Sequence, residues 1–515
     1  MQSLRLSRFP CVMMVLIILI ASCIPTSNNI STTPPTNPKS GGRLVMTLDT
    51  KDISTLDPVV PGDNSAIWTI LNLYDQLFRV AKDAQSVEPD AVERYEVSTD
   101  GLIYSFVLRD GLTFSDGTPV TMDDVIFSLQ RMLASEHWGW LFPEDAVVLA
   151  SDAESFQIRL TQPNAALINN LAGFWSSIVP RKSVETIGVD FWEKPIGSGP
   201  FRVKEWIRGS HITLERNPYY WGKPAYLDEV ELQLVTDDNI RMLKFQAGEL
   251  DVATNIPFNQ VAGIDALDGA SVQIAPLLSV DFIIMNASRP PLDNMNVRMA
   301  LNHATDKRAI IEAVLFGFGE PATMNWPKMM FWDEQLSGYP YNLDLAREYL
   351  RKSSVPNGFE ITFAYRGDSI PDAQIGVLLQ EQWGQLGIDV QLEPMEATIL
   401  RERLFNNDFD LVKAFNSSDV IDPSQPTASF LCRMTQPVMG VCHEGIEQLY
   451  AESETMLVME EREAAFHQMM RMAQEWAIFI PVYYAPARTA ISNRVRGFQI
   501  LPTGNFRLWE VWVEN

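Results

Sequence analysis

Histidine is scarce in this chain, with five among 515 residues. They are His137, His211, His303, His443 and His467. No pair has the H-E-x-x-H spacing of a zinc hydrolase, and the chain contains neither a G-x-S-x-G nucleophile turn nor a G-x-x-x-x-G-K-[ST] phosphate loop. With 65 acidic residues, carboxylate pairs arise by chance and leave a glycosidase open, but none is set apart. We therefore expect a protein that is not an enzyme and that needs no metal and no cofactor.

Basic residues are also few. Lys and Arg number 40 against 65 Asp and Glu, which gives a formal net charge of −25. Nucleic acids and anionic lipid surfaces both attract proteins through basic patches. The charge therefore argues against either as a partner.

Only four cysteines are present, at positions 11, 23, 432 and 442. The first two lie near the N-terminus, which leaves Cys432 and Cys442 as a pair ten residues apart. In an exported chain this spacing predicts one disulfide, worth about 3 kcal/mol from loop closure. A metal site that adds His443 is the alternative, although the second ligand pair of a structural zinc site is missing.

Long apolar runs are absent, and the longest near the N-terminus, Cys11 to Ala21, has 11 residues. A membrane-spanning helix needs ~20, whereas the core of a signal peptide needs ~7–15. Arg5 and Arg8 precede the run, and its end, Ile-Ala-Ser-Cys, resembles a bacterial lipobox. We predict a signal peptide over residues 1–22, lipidation of Cys23, and a polar tether over residues 23–42. An ordinary secretory signal with a chance cysteine is the alternative.

Local patterns predict a mixed α/β chain. Alternation predicts a strand at Arg43 to Leu48 and a hairpin around Asp110-Gly111. Thr121 and Asp124 form a capping box that starts a helix. The stretch 359–392 predicts a βαβ unit, and two helices are expected near residues 297–314, the second capped by Asp306.

Aromatic residues are abundant: 13 Trp, 13 Tyr and 26 Phe. Most are expected in the core, as in the cluster RNPYYWGKP at residues 216–224. Trp138 and Trp140, however, flank a glycine. We predict that they form a mobile aromatic lip on a ligand site.

A set of segments, taken in order, resembles the family 5 extracellular solute-binding proteins, the peptide/nickel-type receptors of ABC importers. They include TLDP (55–58), LYDQLF (73–78), STDGLIYSFVLRDGLTFSDGTPVTMDDVIFSLQRM (98–132), PIGSGPFRVKEW, FQAGELDVA (245–253), NVRMALNHATDKRAII and IPVYYAPARTAISNRVRGF. Each segment alone is weak evidence for the family, but their occurrence in this order from about residue 42 to residue 498 is specific to it.

The resemblance implies a bilobed periplasmic-binding-protein-like fold with an inserted domain and two lobes joined by a hinge. Lobe one would comprise residues 43–74, 193–280 and 486–515, the inserted domain residues 75–192, and lobe two residues 281–485. It also implies a monomer that closes on its ligand and delivers it to a permease and ATPase complex, with membrane contact only through the lipid.

The resemblance also implies candidate ligand contacts. In peptide-binding members an aspartate after a strand end pairs with the ligand ammonium, and Asp419 in DFDLVKAFNSSDVIDP (408–423) matches it. The alternative for Asp419 is a turn former. Phe415 and Asn416 stand where many members have Gly-Trp, and Leu404 lies where some carry an arginine for the ligand carboxylate. With Trp138, Trp140 and Asn64, these residues complete the predicted site.

Three functions follow as hypotheses. The first is an extracytoplasmic receptor for a short peptide or another small amine-bearing solute. A nickel complex is less favoured because the stretch around Asp419 has no histidine. The second is a binding-only sensor or adhesin of the same fold, and the third is a secreted hydrolase, for which no activated nucleophile is evident.

Overall fold

A computed structural model describes residues 38–60, 63–329 and 331–514. The predicted signal peptide, Cys23 and most of the tether lie outside the described residues. The described elements belong to one unit, residues 39–515. No helix within the described ranges is long and apolar enough to cross a membrane.

The strands are named in chain order. They are β1 Arg43–Leu48, β2 Phe78–Val80, β3 Val87–Pro89, β4 Val92–Val97, β5 Ile103–Leu108, β6 Val147–Ala150, β7 Ser155–Arg159, β8 Phe201–Ile207, β9 His211–Arg216, β10 Glu229–Leu234, β11 Val252–Thr254, β12 Ala270–Ala275, β13 Ser279–Met285, β14 Glu320–Pro321, β15 Glu360–Arg366, β16 Asp389–Met395, β17 Leu411–Ser417, β18 Phe479–Tyr484, β19 Ala487–Ser492, β20 Val495–Arg496 and β21 Trp512–Val513.

The α-helices are named in the same way. They are α1 Asn64–Leu73, α2 Met122–Leu133, α3 Leu167–Asn170, α4 Arg181–Ile187, α5 Asp238–Gln246, α6 Val261–Asp265, α7 Met295–Ala304, α8 Lys307–Val314, α9 Leu343–Arg351, α10 Ile370–Gly384, α11 Ala397–Phe405, α12 Ser424–Thr427, α13 Cys432–Met439, α14 Glu444–Glu454 and α15 Met459–Trp476.

Three larger sheets organise these elements. A seven-stranded sheet has the order β12-β19-β11-β1-β10-β9-β8, a six-stranded sheet the order β14-β18-β13-β17-β15-β16, and a four-stranded sheet the order β4-β5-β7-β6. Their strands fall within the segments assigned to lobe one, lobe two and the inserted domain, except that β13 begins two residues earlier, at Ser279. The exact domain bounds remain a prediction.

The chain passes between the two larger sheets through short links. One link joins β12, which ends at Ala275, to β13, which begins at Ser279. Another joins β18, which ends at Tyr484, to β19, which begins at Ala487. These links are where a hinge between the two sheets would lie.

Several local signals produce the elements they predict. Asp124 Oδ2 accepts a hydrogen bond from the Thr121 N–H at 2.9 Å, and Thr121 Oγ1 accepts one from the Asp124 N–H at 3.3 Å, so the capping box that starts α2 is confirmed. The βαβ unit is also confirmed, because β15 and β16 pair in parallel across α10. Asp306 caps α8 as expected.

The predicted hairpin at Asp110-Gly111 is wrong in its pairing. Strand β5 precedes the turn, but its two neighbours are β4 and β7. The residues after the turn form only an isolated bridge between Thr113 and Pro119. Because both edges of β5 are occupied, no edge is left for a hairpin partner. The apolar Leu112 and Phe114 are buried without joining a strand.

Alternation along β17 divides the core of the six-stranded sheet. Leu411 belongs to the hydrophobic cluster on one face and Val412 to the cluster on the other. Beyond the strand, Val420 and Ile421 join a different cluster, the one that underlies the seven-stranded and four-stranded sheets. This packing fixes the turn after β17, which carries Asp419, against the rest of the molecule.

Candidate functional site

A cavity lies between the turn after β17 and the remainder of the molecule. Its walls border about 680 Å³ of space free of protein atoms, a volume that includes open solvent. Its walls come from α1, from residues 74–90, from Ala172 and Phe174, from Pro200 and Tyr220, and from residues 501–509. Among the described lining residues, Asp419 is the one contributed by the segment 281–485. A ligand in this cavity would therefore touch both sides of the cleft.

Asp419 follows the end of β17 and is half-buried. Gln425 holds it from two directions: Nε2 of Gln425 donates to Asp419 Oδ2 at 2.8 Å, and the Asp419 N–H donates to Gln425 Oε1 at 2.8 Å. Within the described part of the chain, nothing donates a hydrogen bond to Asp419 Oδ1. The carboxylate is thus oriented but has a free acceptor oxygen.

The surroundings of Asp419 shift its ionisation. Desolvation by the surrounding protein raises the pKa of Asp419 to about 6, and the hydrogen bond from Gln425 opposes this only in part. No Lys or Arg of the described residues forms an ion pair with it. A cationic group brought to this carboxylate would supply the missing partner and favour its ionised form.

Aromatic rings form much of the opposite wall. They are Trp68, Tyr74, Phe174, Tyr220, Phe506 and Trp509. The rings of Trp68 and Phe506 lie 5.7 Å apart between centroids, at a tilt of 57°. Such a wall suits an apolar ligand body and also the face-on approach of a cation.

A polar network lines the floor next to these rings. Asp75 is buried and accepts hydrogen bonds from Trp221 Nε1 at 2.8 Å and from the Tyr220 hydroxyl at 3.2 Å. Burial, reinforced by the neighbouring carboxylate of Asp90, raises the pKa of Asp75 well above its usual range. Asp90 in turn accepts a hydrogen bond from Arg79 Nη1 at 3.2 Å.

One wall hydroxyl has no partner. Thr503 Oγ1 is buried and forms no hydrogen bond with any residue that the structure describes. Buried hydroxyls are normally satisfied, because desolvation without a hydrogen bond is costly. Thr503 is therefore a candidate for a direct polar contact with ligand or with water in the cavity.

A second carboxylate lies three residues after Asp419 on the same turn. Asp422 is fully buried and accepts hydrogen bonds from Arg462 Nη1 at 2.7 Å and Nη2 at 2.9 Å. Burial alone would raise the pKa of Asp422. The charge and hydrogen bonds of Arg462 lower this pKa, and so do the hydrogen bonds from Ser424. This ion pair neutralises Asp422 within the protein.

The same network reaches the segment assigned to the inserted domain. Asn169 Nδ2 donates to Asp422 Oδ2 at 3.2 Å, and Asn164 Nδ2 donates to Glu454 Oε2 at 3.2 Å. The Ala165 N–H also donates to the carbonyl of Glu454 at 2.8 Å. These bonds hold the two sides of the cleft together beside the cavity.

The tryptophans predicted as a lip do not line the cavity. Trp138 stacks on Trp175 at 4.9 Å and meets Phe174 edge-on at 5.4 Å, so it supports a wall residue from behind. Trp140 lies beneath the guanidinium of Arg433 at 3.9 Å and contacts the other side of the cleft. Their role as ligand contacts stays a prediction.

The other predicted contacts are spread out. Phe415 is 63% exposed on β17, beside the half-buried Asn416, and neither belongs to the cavity wall. Asn64 is exposed at the first position of α1. Leu404 packs against the core next to the six-stranded sheet. Of the predicted ligand residues, Asp419 alone lines the described cavity.

The cysteine pair is found as predicted. Cys432 and Cys442 form a disulfide, with their Cα atoms 4.8 Å apart. No group of three or more metal-ligating side chains occurs among residues 38–60, 63–329 and 331–514.

Several residues of the site were not singled out from the sequence. Asp75 lies inside the family-like segment LYDQLF and Tyr220 inside the aromatic cluster RNPYYWGKP, and these were the available signals. Phe506 and Trp509 lie in a stretch with no recognisable pattern. Arg462 lies on α15 among other charged residues, and nothing local distinguishes it.

Comparison with a known structure identifies the fold. The chain superimposes with a TM-score of 0.82 on the ABC transporter-associated periplasmic binding protein DppA from Helicobacter pylori, solved with the peptide STSA. The two are 23% identical, and the match covers 93% of this chain and 99% of that one. The fold is therefore the bilobed α/β fold of periplasmic binding proteins, as the sequence predicted.

The family follows from sequence. Residues 86–434 match the bacterial extracellular solute-binding proteins, family 5, and the chain belongs to this family. It is 28% identical over 386 residues to the probable D,D-dipeptide-binding periplasmic protein DdpA of Escherichia coli K12, covering 72% of this chain and 74% of DdpA. It is 30% identical over 353 residues to the glutathione-binding protein GsiB of Escherichia coli O6:K15:H31, covering 67% and 68% respectively.

Proposed function

We propose that this chain is the extracytoplasmic receptor of an ABC importer and that it binds a short peptide or another small amine-bearing solute in the cavity beside Asp419. Family membership supports a solute-binding role. The names of DdpA and GsiB, which refer to a dipeptide and to glutathione, support a small peptide-like ligand.

The observation that carries this proposal is the state of Asp419. Its Oδ2 is fixed by Gln425, and the described residues supply neither a hydrogen-bond donor to its Oδ1 nor a cation within ion-pair distance. A ligand ammonium that enters the cavity loses its water, and an unpaired buried charge is prohibitively costly. The Asp419 carboxylate compensates this loss through a charge-assisted hydrogen bond.

Lobe closure is part of the proposal. Asp419 belongs to the side of the cleft built on the six-stranded sheet, whereas the aromatic wall belongs to the other side. A ligand that contacts both sides binds the closed arrangement preferentially and shifts its population. A ligand that contacted one side equally in both states would leave the equilibrium unchanged.

The test is calorimetric titration of the purified chain and of Asp419→Asn with a panel of hydrophobic di- and tripeptides. We expect stoichiometric binding to the unmodified chain and a loss of about a hundredfold or more in the variant, because one buried charge is left unpaired. Asp344→Asn, at a side chain that is 95% exposed and outside the cavity wall, is the matched control and should bind like the parent. Equal affinities for all three chains would refute the role of Asp419.

The same experiment separates binding from catalysis. We propose that the chain releases its ligand unchanged to a permease and ATPase complex, as a monomer. Mass spectrometry should then recover the peptides uncleaved after incubation, whereas accumulation of fragments would favour a hydrolase.

We also propose that Cys23 carries the lipid that tethers the receptor to the membrane. Cys23→Ala should abolish metabolic labelling with palmitate and release the protein from the membrane fraction. A variant that still labels and still sediments with membranes would exclude this anchor.

A further inference from the structure

The charge balance of the cavity wall restricts the ligand further. Three carboxylates line the wall, those of Asp75, Asp90 and Asp419, against the two guanidinium groups of Arg79 and Arg507. Close charges in a partly desolvated cavity interact strongly, so the sign of the excess matters for what can bind.

Both guanidinium groups are already committed to acidic partners. Arg79 donates to Glu88 Oε1 at 3.0 Å through Nε and to Asp90 Oδ1 at 3.2 Å through Nη1. Arg507 donates to the same Glu88 oxygen at 3.0 Å and to the carbonyl of Val80 at 2.7 Å. Neither arginine therefore offers an uncompensated positive charge to a ligand.

Two of the carboxylates, by contrast, have only neutral hydrogen-bond donors. Asp75 is held by Tyr220 and Trp221, and Asp419 by Gln425. Among the described residues, no ammonium or guanidinium group lies within ion-pair distance of either one. Because burial raises the pKa of Asp75 well above its usual range, Asp75 is held neutral, and the uncompensated negative charge of the wall is that of the Asp419 carboxylate.

The aromatic part of the wall also favours a cationic ligand. Indole and phenyl faces attract an ammonium group electrostatically and accommodate an apolar body, but they offer nothing to a carboxylate. Trp68, Phe506 and Trp509 supply such faces on the side of the cavity built by α1 and residues 501–509.

The geometry points to a net cationic ligand, an organic amine or an amidated peptide with an apolar body, that brings no free carboxylate into the cavity. This inference rests on the proposed function, to which it adds the exclusion of the carboxylate. A ligand carboxylate would stand in the same cavity as the Asp419 carboxylate without a cation of its own, and like charges placed together oppose binding.

The test compares three forms of one dipeptide, leucyl-phenylalanine, by calorimetric titration of the full chain. The forms are the free dipeptide, its C-terminal amide and its N-acetyl derivative. We expect the amide to bind at least about tenfold more tightly than the free dipeptide, and the N-acetyl derivative not to bind. Free dipeptide that binds as tightly as the amide would overturn the inference while leaving the proposed function intact.

Two further outcomes concern the proposed function itself. N-acetyl dipeptide that binds as well as the amide would overturn the amine-binding role, and the inference with it. Absence of binding by all three forms would also overturn both.

A charge added to the wall provides an independent check. Asn505 lines the cavity and is half-buried, so Asn505→Lys places an ammonium group there. This variant should reduce the preference for the amide over the free dipeptide by about tenfold, because it compensates the ligand carboxylate. Asn406→Lys, which adds the same charge at an exposed position outside the cavity wall, should keep the parental preference. An unchanged preference in the lysine variant would contradict the inference.

Discussion

Asp419 and Asp422 belong to the same turn, and the protein treats them in opposite ways. Asp422 is fully buried and receives two hydrogen bonds from the guanidinium of Arg462. Asp419 is half-buried, is oriented only by a neutral amide, and has its pKa raised to about 6. The first is a carboxylate whose charge is compensated within the fold. The second has no such compensation, and under the proposed function a ligand supplies it, so the comparison sets a structural carboxylate against a proposed binding carboxylate.

The largest effect that distinguishes Asp422 from Asp419 is on the free energy of unfolding. Asp422→Asn leaves Arg462 without its bidentate partner in a buried site, and removing one member of such a pair costs about 3–5 kcal/mol. Because Glu454 still lies 3.4 Å from Arg462, we expect a loss of about 3 kcal/mol in the free energy of unfolding. Urea denaturation followed by circular dichroism measures it.

The control for this variant is Asp344→Asn. Asp344 pairs with Arg347, but its side chain is 95% exposed, so its loss should be within about 0.5 kcal/mol. A similarly small effect for Asp422→Asn would mean that the buried pair is not what holds this turn.

The next effect concerns the pH dependence of binding. The folded-state pKa of Asp419 is raised to about 6, whereas a peptide α-amino group has a pKa of about 8. Below pH 6 the carboxylate protonates while the amine stays charged, so affinity should fall about tenfold between pH 7 and pH 5. Calorimetric titrations of an amine ligand across this range measure the change.

The variant Asp419→Asn supplies the comparison, because it has no carboxyl group to titrate. Its residual affinity should stay flat between pH 7 and pH 5. An identical pH profile in parent and variant would assign the titration to another group.

The smallest effect is that of Asp419→Asn on stability, and its sign is opposite to that of Asp422→Asn. Because the pKa of Asp419 is raised on folding, the folded state is favoured when this group is protonated, and that advantage is lost as the pH rises through about 6. Asp419→Asn removes the cost of the buried charge. It should therefore stabilise the ligand-free protein by about 1 kcal/mol at pH 8 and leave its stability unchanged at pH 4.

Thermal unfolding of the parent and of Asp419→Asn at both pH values measures this shift. A variant less stable than the parent at pH 8 would indicate that the charge of Asp419 is already compensated without ligand.

Elements that depend on interactions between sequence neighbours were predicted correctly, whereas a pairing that depends on remote strands was not. The capping box of α2 and the βαβ unit of β15, α10 and β16 depend on neighbours in sequence, so local patterns predicted them. The hairpin at Asp110-Gly111 failed because β4 and β7, which are remote from the turn, take both edges of β5. The alternation of apolar and polar residues indicates which side chains are buried, but it does not indicate which strand pairs with β5.

The site shows the same division. Asp419 was predicted because its segment matches a family motif, and β17 does deliver it to the cleft. Its contrast with Asp422 could not be predicted, because Arg462 lies 40 residues further along the chain. Phe506 and Trp509 face Asp419 only through the long-range packing of the chain, which leaves no periodic trace in the sequence.

That long-range packing has a consequence for how the receptor matures. Residues 501–509 supply six of the residues that surround the cavity: Leu501, Thr503, Asn505, Phe506, Arg507 and Trp509. In chain order they come after all the remaining wall residues. This part of the wall is therefore the last to be made during synthesis or export. A chain caught partway, or clipped before residue 501, would have its sheets but no enclosed cavity. Under the proposed function, solute capture would therefore have to wait until residues 501–509 have folded against the rest of the cavity wall.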